Sequence, residues 1–451
     1  MRYFVLAIVL FCVEIFFSTD VFSVPKEGSP QFLVDDTKEV HDKVPVIMPW
    51  CVIPLDPAYG GQWVVAADLT GDGVPEIISA ENFNEGDVHY TSAVAVHKLD
   101  GRLLWHWGKP DIGRKTWHHD VACQAHDWDE NGQIDVTVCE AGAIVELDGR
   151  TGVEKRRIPI EKDATDCIVF CDLAGKGRPT DVLVKNRYNQ IWAYDQNGVL
   201  LWAVKEPGGY RTAHQPRPID LDHDGRDEII AGYALLNCDG TVRWVYDSER
   251  IEMDRGHLDC ARILEYGNKL KDWRIALTFC GANAIAVADG NGKTIWEVTG
   301  YHFESINIGK LTAEQHGMQI LVDIDHQPKG QSPIWLFDGA GNKLGELITD
   351  YSRHHKLLDW TGDGIAEIVV AHSRALYDAK GICLATLSVP KGVLAAAGNA
   401  KRSVLLADMN GNGIQDILLV LPTHVLIYKN KSGKAMAESV ALGTGLNVTL
   451  Y

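Results

Sequence analysis

Short polar patches rich in histidine and arginine recur along the chain, each a few residues before an apolar run typical of a strand. Imidazole transfers protons near neutral pH, and guanidinium binds carboxylates through two parallel hydrogen bonds. One such histidine alone would indicate nothing, but five patches at one phase of a repeat predict a basic site for an anionic ligand. Three or more histidines are also a ligand set for a transition metal such as zinc. The patches are Trp117-His118-His119-Asp120, Tyr210-Arg211-Thr212-Ala213-His214, Arg255-Gly256-His257-Leu258-Asp259, Tyr301-His302-Phe303-Glu304 and Tyr351-Ser352-Arg353-His354-His355-Lys356.

A second motif, the Asp loop, places oxygen-bearing side chains at offsets 0, 2, 4 and 8, with glycine at offset 5. Hard cations need several converging oxygens, and glycine readily makes the sharp bend. We therefore expect structural calcium in these loops; the alternative is that the acids cap turns by accepting backbone amides. The expected ligands are Asp68, Asp72, Glu76, Asp127, Asp129, Asn131, Asp135, Asp220, Asp222, Asp224, Glu228, Asp359, Asp363, Glu367, Asp408, Asn410, Asn412 and Asp416.

The elements that position these motifs are predicted from hairpins with Asp-Gly, Asn-Gly or similar turns. Eight such hairpins occur, at residues 94–105, 145–152, 191–202, 236–244, 285–296, 334–342, 375–381 and 425–433. Asp loops begin at residues 68, 127, 220, 359 and 408, and a further copy at 172 keeps the turn but has lost the acids. Two degenerate cycles, Ala261–Leu277 and Ile308–Val322, fill the gap between 220 and 359, so the mean step is about 49 residues. A four-stranded propeller blade has this period. The sequence therefore predicts an all-β fold, an eight-bladed β-propeller of four-stranded antiparallel blades.

The domain prediction follows from this period. Residues 61–451 form the propeller, and the proline-rich residues 24–60 can supply a strand that closes the ring. A solenoid is the structural alternative, but its repeats are usually shorter. In a propeller, equivalent positions of different blades meet around the central axis, so we expect the polar patches to meet at one mouth.

Composition and charge exclude several classes of protein. The chain has 451 residues, of which 46% are hydrophobic and 23% charged, so it is neither disordered nor fibrous. A net charge of −18 argues against a nucleic-acid partner. Residues 1–23 have the basic start, apolar run and small residues of an export signal. We expect a secreted or periplasmic protein with no membrane insertion once the signal is removed.

The Asp loops and Asp-Gly hairpins resemble the blades of the eight-bladed rhamnogalacturonan lyases, polysaccharide lyase family 11, over about residues 60–430. Gly256-His257-Leu258-Asp259 and the stretch Asp289–Trp296 resemble the corresponding part of that family. The loops are also similar to the FG-GAP repeats of integrin-type binding propellers. Compared with the lyase family, this chain is shorter and has more histidine around the expected mouth, and we expect it to lack that family's separate N-terminal β-domain. Propeller-fold lyases that act on ulvan are an equally good chemical analogy.

The resemblance implies a polysaccharide lyase that cleaves an acidic, uronate-containing glycan of rhamnogalacturonan or ulvan type by β-elimination. Arg211 or Arg353 would neutralise the uronate carboxylate, and calcium could assist. His119 or His257 is then expected as base, and Tyr210 or His214 as acid. The expected catalytic residues are His119, Tyr210, Arg211, His214 and His257. The expected substrate contacts are His118, Arg255, Tyr301, His302, Arg353, His354, His355 and Lys356.

Two alternatives stay open. One is a non-catalytic, calcium-stabilised propeller that binds carbohydrate or protein, because the repeats are shared by proteins of many functions. The other is a glycoside hydrolase on the same scaffold. A hydrolase needs paired carboxylates at the mouth, for which Asp120, Asp259 and Glu304 are the candidates.

Overall fold

A computed structural model describes residues 26–27, 33–35, 44–86, 88–113, 120–327, 332–349, 351, 353–434 and 446–451. The expected export signal lies outside these residues. The strands form eight sheets, each built on four antiparallel strands, that are arranged as the blades of a propeller. The predicted eight-bladed β-propeller is therefore confirmed.

The first four blades follow one another along the chain, and each runs from the axis outward. Blade 1 consists of Trp63–Ala67, Glu76–Glu85, Val88–His97 and Leu103–Gly108. Blade 2 consists of Cys123–His126, Asp135–Glu140, Ala143–Leu147 and Glu154–Pro159. Blade 3 consists of Cys167–Cys171, Asp181–Lys185, Gln190–Tyr194 and Leu200–Lys205. Blade 4 consists of Thr212–Ile219, Glu228–Gly232, Ala234–Leu236 and Val242–Val245.

The remaining blades include the two degenerate cycles, which fall in blades 5 and 6. Blade 5 consists of His257–Glu265, Arg274–Cys280, Ala284–Ala288 and Thr294–Thr299. Blade 6 consists of His302–Gly309, Gln319–Asp325, Ile334–Phe337 and Asn342–Ile348. Blade 7 consists of Lys356–Leu358, Glu367–Val370, Ala375–Tyr377 and Cys383–Leu387. Blade 8 consists of Ser403–Ala407, Asp416–Val420, His424–Tyr428 and, from the start of the chain, Cys51–Pro54.

Short segments near the start of the chain pair with the outer edges of the last three blades. Cys51–Pro54 pairs antiparallel with the third strand of blade 8, so the last blade contains strands from both ends of the propeller sequence. Val46–Ile47 adds a parallel strand to blade 7, and Lys26–Glu27 and Leu33–Asp35 add parallel strands to blade 6.

The described helices are short. One α-helix spans Lys391–Ala397, and 3-10 helices span Pro207–Gly209 and Leu270–Asp272. In the ranges that the structure describes, no helix has the length and apolar character needed to cross a membrane.

Tryptophans at the outer strands connect neighbouring blades. Trp244 of blade 4 donates from Nε1 to the carbonyl of Gly290 in blade 5, at 3.0 Å. Its ring packs on Gly292, where a Cβ atom would lie 2.7 Å from the ring and where φ is +78°. Trp105, Trp202 and Trp296 make the equivalent bond to blades 2, 4 and 6. The recurring tryptophan and turn glycine of the sequence are thus two halves of one inter-blade contact.

Candidate active site

The described residues of the polar patches share one face of the propeller. They lie at or just before the start of an innermost strand, and in blades 2, 4 and 7 an Asp loop follows the far end of that strand. The patches therefore face one side, the mouth, and the Asp loops face the other. At the mouth, side chains from several blades form a continuous set of contacts that we call the mouth cluster: Asp120, His214, His257, Asp259, His302, Glu304 and Arg353.

Three buried side chains of the mouth cluster are placed to hold a metal ion. The Nε2 atoms of His214 and His257 lie 3.4 and 3.2 Å from Oδ1 of Asp259, and the candidate ligand atoms of the three residues all lie within 4.8 Å of one another. Although His257 Nε2 is this close to Asp259, it makes no hydrogen bond with any of the described residues. The other ring nitrogen of His214 lies 2.6 Å from Asp120 Oδ2, and carboxylates commonly orient metal-binding histidines in this way. Two imidazoles and a carboxylate suit Zn²⁺ or another transition metal better than Ca²⁺, which prefers oxygen.

Burial controls protonation in this metal-capable group, which comprises His214, His257 and Asp259. Burial, aided by nearby Lys185, lowers the pKa of His257 to about 3, so the imidazole is neutral and its lone pair can bind a metal. Burial also raises the pKa of Asp259 well above its usual range, and the charge of Glu304 adds to that effect. A divalent cation would favour the ionised form of Asp259 and so make it a ligand.

Beside the metal-capable group, His302, Glu304 and Arg353 form a charged network. His302 Nε2 lies 3.0 Å from Glu304 Oε1, and Arg353 donates to both Glu304 and Asp325. Burial would raise the pKa of Glu304, but Arg353 and His302 hold it below its usual value. Burial lowers the pKa of His302, but its hydrogen bond to Glu304 outweighs this and raises it. Arg353 is 6% exposed, and its guanidinium is engaged by protein carboxylates.

An arginine–tyrosine wall stands on the other side of the metal-capable group. Arg187 and Arg211 approach the ring of Tyr188, with Cζ 5.0 and 5.4 Å from its centroid. The Tyr188 ring in turn contacts the His257 ring, at 4.4 Å between centroids. Arg187 is anchored to Asp120 at 3.0 Å, whereas Arg211 is exposed. The wall therefore presents an exposed guanidinium close to the metal-capable group.

Lys401 and Tyr351 lie at the blade 7 and 8 side of the mouth. Lys401 Nζ is 4.8 Å from the centroid of the Tyr351 ring. Partial burial, with the charge of Arg353, lowers the pKa of Lys401, and such a lysine can act as a general base. Sequence reasoning missed Lys401, although it precedes the innermost strand Ser403–Ala407 at the same phase as the other patches.

Three further predicted residues lie outside the mouth cluster. Tyr210 is half-buried and packs against Tyr233, with ring centroids 5.4 Å apart. Arg255 is exposed and forms an ion pair with Glu252 at 3.0 Å. Tyr301 packs on Phe303 and Trp335 of blade 6, with ring centroids 6.0 and 4.6 Å away.

The remaining predicted residues belong to the patch before blade 7 and to the patch before blade 2. His354 and His355 are fully buried, and Lys356 is half-buried in the first strand of blade 7. His118 and His119 lie outside the described residues.

The Asp loops make the hydrogen bonds expected of turn-capping acids. In blade 8, Asp408 accepts the backbone N–H groups of Gly411 and Gly413 at 2.8 and 2.7 Å. The last acid of the loop, Asp416, accepts the N–H of Met409 at 3.1 Å. The same pattern occurs in blade 7 around Asp359. The calcium predicted in these loops stays a prediction.

Comparison with known proteins identifies sequence and structural relatives. No protein-family model matches the sequence. The chain is similar to the rhamnogalacturonan exolyase YesX of Bacillus subtilis (strain 168), with 24% identity over 448 aligned positions that cover 80% of this chain and 69% of the relative.

Solved structures share the fold at low sequence identity. The rhamnogalacturonan lyase PL11 of Bacillus licheniformis superposes with a TM-score of 0.57 and 17% identity, covering 84% of this chain and 75% of that one. The exotype rhamnogalacturonan lyase YesX superposes with a TM-score of 0.56 and 17% identity, covering 85% of this chain and 75% of that one. The biofilm matrix protein Bap1 of V. cholerae superposes with a TM-score of 0.53 and 14% identity, covering 92% of this chain and 94% of that one. At these identities the structures show a common architecture only.

Proposed function

We propose that the protein is a secreted polysaccharide lyase that cleaves a uronate-containing glycan, of rhamnogalacturonan or ulvan type, by β-elimination. The mouth carries this proposal, because one face combines the metal-capable group of the mouth cluster, the exposed Arg211 and Lys401 with its lowered pKa. The sequence relative named as a rhamnogalacturonan exolyase supports the same chemistry. The signal-like residues 1–23 support action outside the cell, where such polymers are met.

The first requirement of the reaction is to neutralise the uronate carboxylate, since the adjacent carbon must lose a proton. Arg211 is exposed and held against Tyr188, so it can bind a carboxylate, whereas Arg353 is already engaged by Glu304 and Asp325. A divalent cation in the metal-capable group would supply further positive charge to the same carboxylate. We assign His214 and His257 as ligands of that cation, because both are buried and direct Nε2 at Asp259.

Proton transfer is assigned to groups on the other side of the mouth. Lys401, with its lowered pKa, accepts the proton from the carbon next to the carboxylate. The electrons of that C–H bond form the new C=C bond, and the bond from the neighbouring carbon to the glycosidic oxygen breaks. His302, whose pKa is raised by Glu304, donates a proton to the departing oxygen. One chain end is then an unsaturated uronate.

Product analysis tests the proposal. Purified protein is incubated with rhamnogalacturonan, ulvan and other acidic polymers, and the ultraviolet absorbance of unsaturated uronate ends is followed. We expect absorbance from the wild type, a loss of at least about 100-fold in kcat/KM for Arg211→Ala and for Lys401→Met, and a change within about twofold for the control. The control is Arg102→Ala, an exposed arginine in a hairpin on the face opposite the mouth.

Two outcomes reject this function. New reducing ends without absorbance indicate a hydrolase, for which the acids of the mouth cluster would be responsible. Binding to a polymer without any new chain ends indicates a binding propeller.

A further inference from the structure

The segment Leu446–Tyr451 belongs to no blade, yet it is bonded to the innermost strands. Asn447 exchanges two hydrogen bonds with the backbone of Phe170 in blade 3, at 2.7 and 2.8 Å. Val448 exchanges two with the side chain of Gln124 in blade 2, both at 2.9 Å. These are the contacts of an ordered segment with specific partners.

Three more blades bind the same six residues. Gln215 of blade 4 donates to the carbonyl of Val448 at 3.2 Å, and Arg262 of blade 5 donates to the carbonyl of Tyr451. His354, just before the first strand of blade 7, is bonded through Nδ1 to the carbonyl of Leu450. Innermost strands of five blades surround the axis, so a segment bonded to all of them lies in the central channel. Its last two side chains are 7% and 3% exposed.

The Tyr451 ring reaches the metal-capable group. It is stacked on the imidazole of His214, with 4.6 Å between centroids and 19° between planes. Other directions around His214 are occupied by Asp120 at 2.6 Å, Asp259 at 3.4 Å and the His257 ring, whose centroid lies 4.6 Å from that of His214. In a close-packed interior, the imidazole cannot rotate unless the tyrosine moves away. The stacking therefore keeps Nε2 of His214 directed at Asp259.

We propose that residues 446–451 form the floor of the candidate active site and that Tyr451 is a positioning residue for His214. Tyr451 acts through the imidazole and not on the substrate. The inference rests on the metal-capable group used in the proposed function, but it does not depend on the lyase reaction. It assigns a role to a segment that the eight repeats do not include.

Metal affinity in the absence of any polysaccharide tests this role. Wild type, Tyr451→Phe and Tyr451→Ala are titrated with Zn²⁺ and with Mn²⁺ by calorimetry, and His257→Ala identifies the binding event that belongs to the mouth. Phenylalanine preserves the stacked ring, so we expect affinity within about twofold of wild type. Alanine releases the imidazole, and we expect affinity to fall by about 10- to 100-fold, as when an orienting partner of a metal ligand is lost. Because no polysaccharide is present, a protein without lyase activity rejects the proposed function and leaves this test intact.

A buried tyrosine elsewhere separates positioning from loss of stability. Tyr428 is fully buried in blade 8, and its hydroxyl donates to the carbonyl of Ser388 at 2.8 Å. We expect Tyr428→Ala to lower the Tm without changing metal affinity. Equal affinities for Tyr451→Ala and wild type overturn the inference, and so does a wild type that binds neither metal at the mouth. An equal loss of affinity in Tyr428→Ala also overturns it, because the effect is then general destabilisation.

Discussion

Asp323 shows at the scale of one residue how burial changes acid chemistry. It is fully buried in the second strand of blade 6, and its Oδ1 accepts the N–H of Ser305 at 2.9 Å. Burial raises its pKa from 3.8 to about 7, although Arg353 opposes the shift. At a pH between these two pKa values, Asp323 has lost its proton in the unfolded chain but keeps it in the folded protein. The stability that Asp323 contributes is therefore present at low pH and lost as the pH rises through about 7.

Asp323→Asn removes this pH dependence, because the amide keeps an acceptor oxygen and does not ionise. We expect the free energy of unfolding of the variant, relative to wild type, to be higher at pH 8 than at pH 5 by about 1–3 kcal/mol. Urea denaturation at the two pH values measures it. Asp100→Asn, at an exposed acid, serves as the control with no change. If the free energies of unfolding of variant and wild type differ by the same amount at pH 5 and at pH 8, the raised pKa of Asp323 is contradicted.

At the scale of the element, each of blades 1–7 has one bulge residue in its outer strand, and its type follows the acidity of the Asp loop. The bulge residue is basic in blade 2, where it is Lys155, and in blade 4, where it is Arg243. The Asp loops of these two blades are the ones that carry an acid at offset 2. Lys155 Nζ lies 2.6 Å from Asp129 and 2.5 Å from Asp135. Arg243 pairs with Asp222 in the same way, at 2.8 Å. In these two blades a side-chain cation lies between acids predicted to bind calcium.

Lys155→Met tests whether the ammonium group replaces a metal ion. Without it, Asp129 and Asp135 face each other unpaired, and we expect a loss of about 1–3 kcal/mol in the free energy of unfolding. Millimolar Ca²⁺ should restore part of this loss in the variant and have a smaller effect on the wild type. Lys162→Met, at an exposed lysine in the connection between blades 2 and 3, is the control. Equal calcium responses of variant and wild type contradict the replacement.

At the scale of the whole molecule, the ring depends on one strand from outside the repeats. Cys51–Pro54 completes blade 8, and within it Ile53 is fully buried against Val425 and its neighbours, whereas Val52 is 37% exposed. The contacts of this strand join residues separated by almost the whole propeller sequence. Their loss would leave the last blade with three strands and an open edge.

Ile53→Ala weakens this closure. We expect a loss of about 2–5 kcal/mol in the free energy of unfolding, as for other buried isoleucines, and faster proteolysis of the native protein. Val52→Ala, on the exposed face of the same strand, should change stability by less than about 0.5 kcal/mol. Thermal unfolding and limited proteolysis measure both effects. If the two variants lose the same stability, burial of this strand does not hold the ring closed.

The number and type of blades follow from the amino-acid sequence alone, because the Asp loop and the Asp-Gly hairpin are local features. Each depends on a few adjacent residues, and together they recur at a mean step of about 49 residues. The phase of the polar patches likewise predicted candidate residues, and the structure brings His214, His257, His302 and Arg353 into one cluster. Local chemistry is sufficient for such predictions because turn geometry and strand alternation act over a few residues.

Which of those groups are available for chemistry was decided by tertiary contacts. Arg353 and Arg211 look alike in the chain, yet Arg353 is engaged by Glu304 and Arg211 is exposed. Tyr451 lies beside His214 although 236 residues separate them, and no repeat announces that contact. Burial and pairing depend on neighbours from distant parts of the chain, and only the closed ring brings those neighbours together.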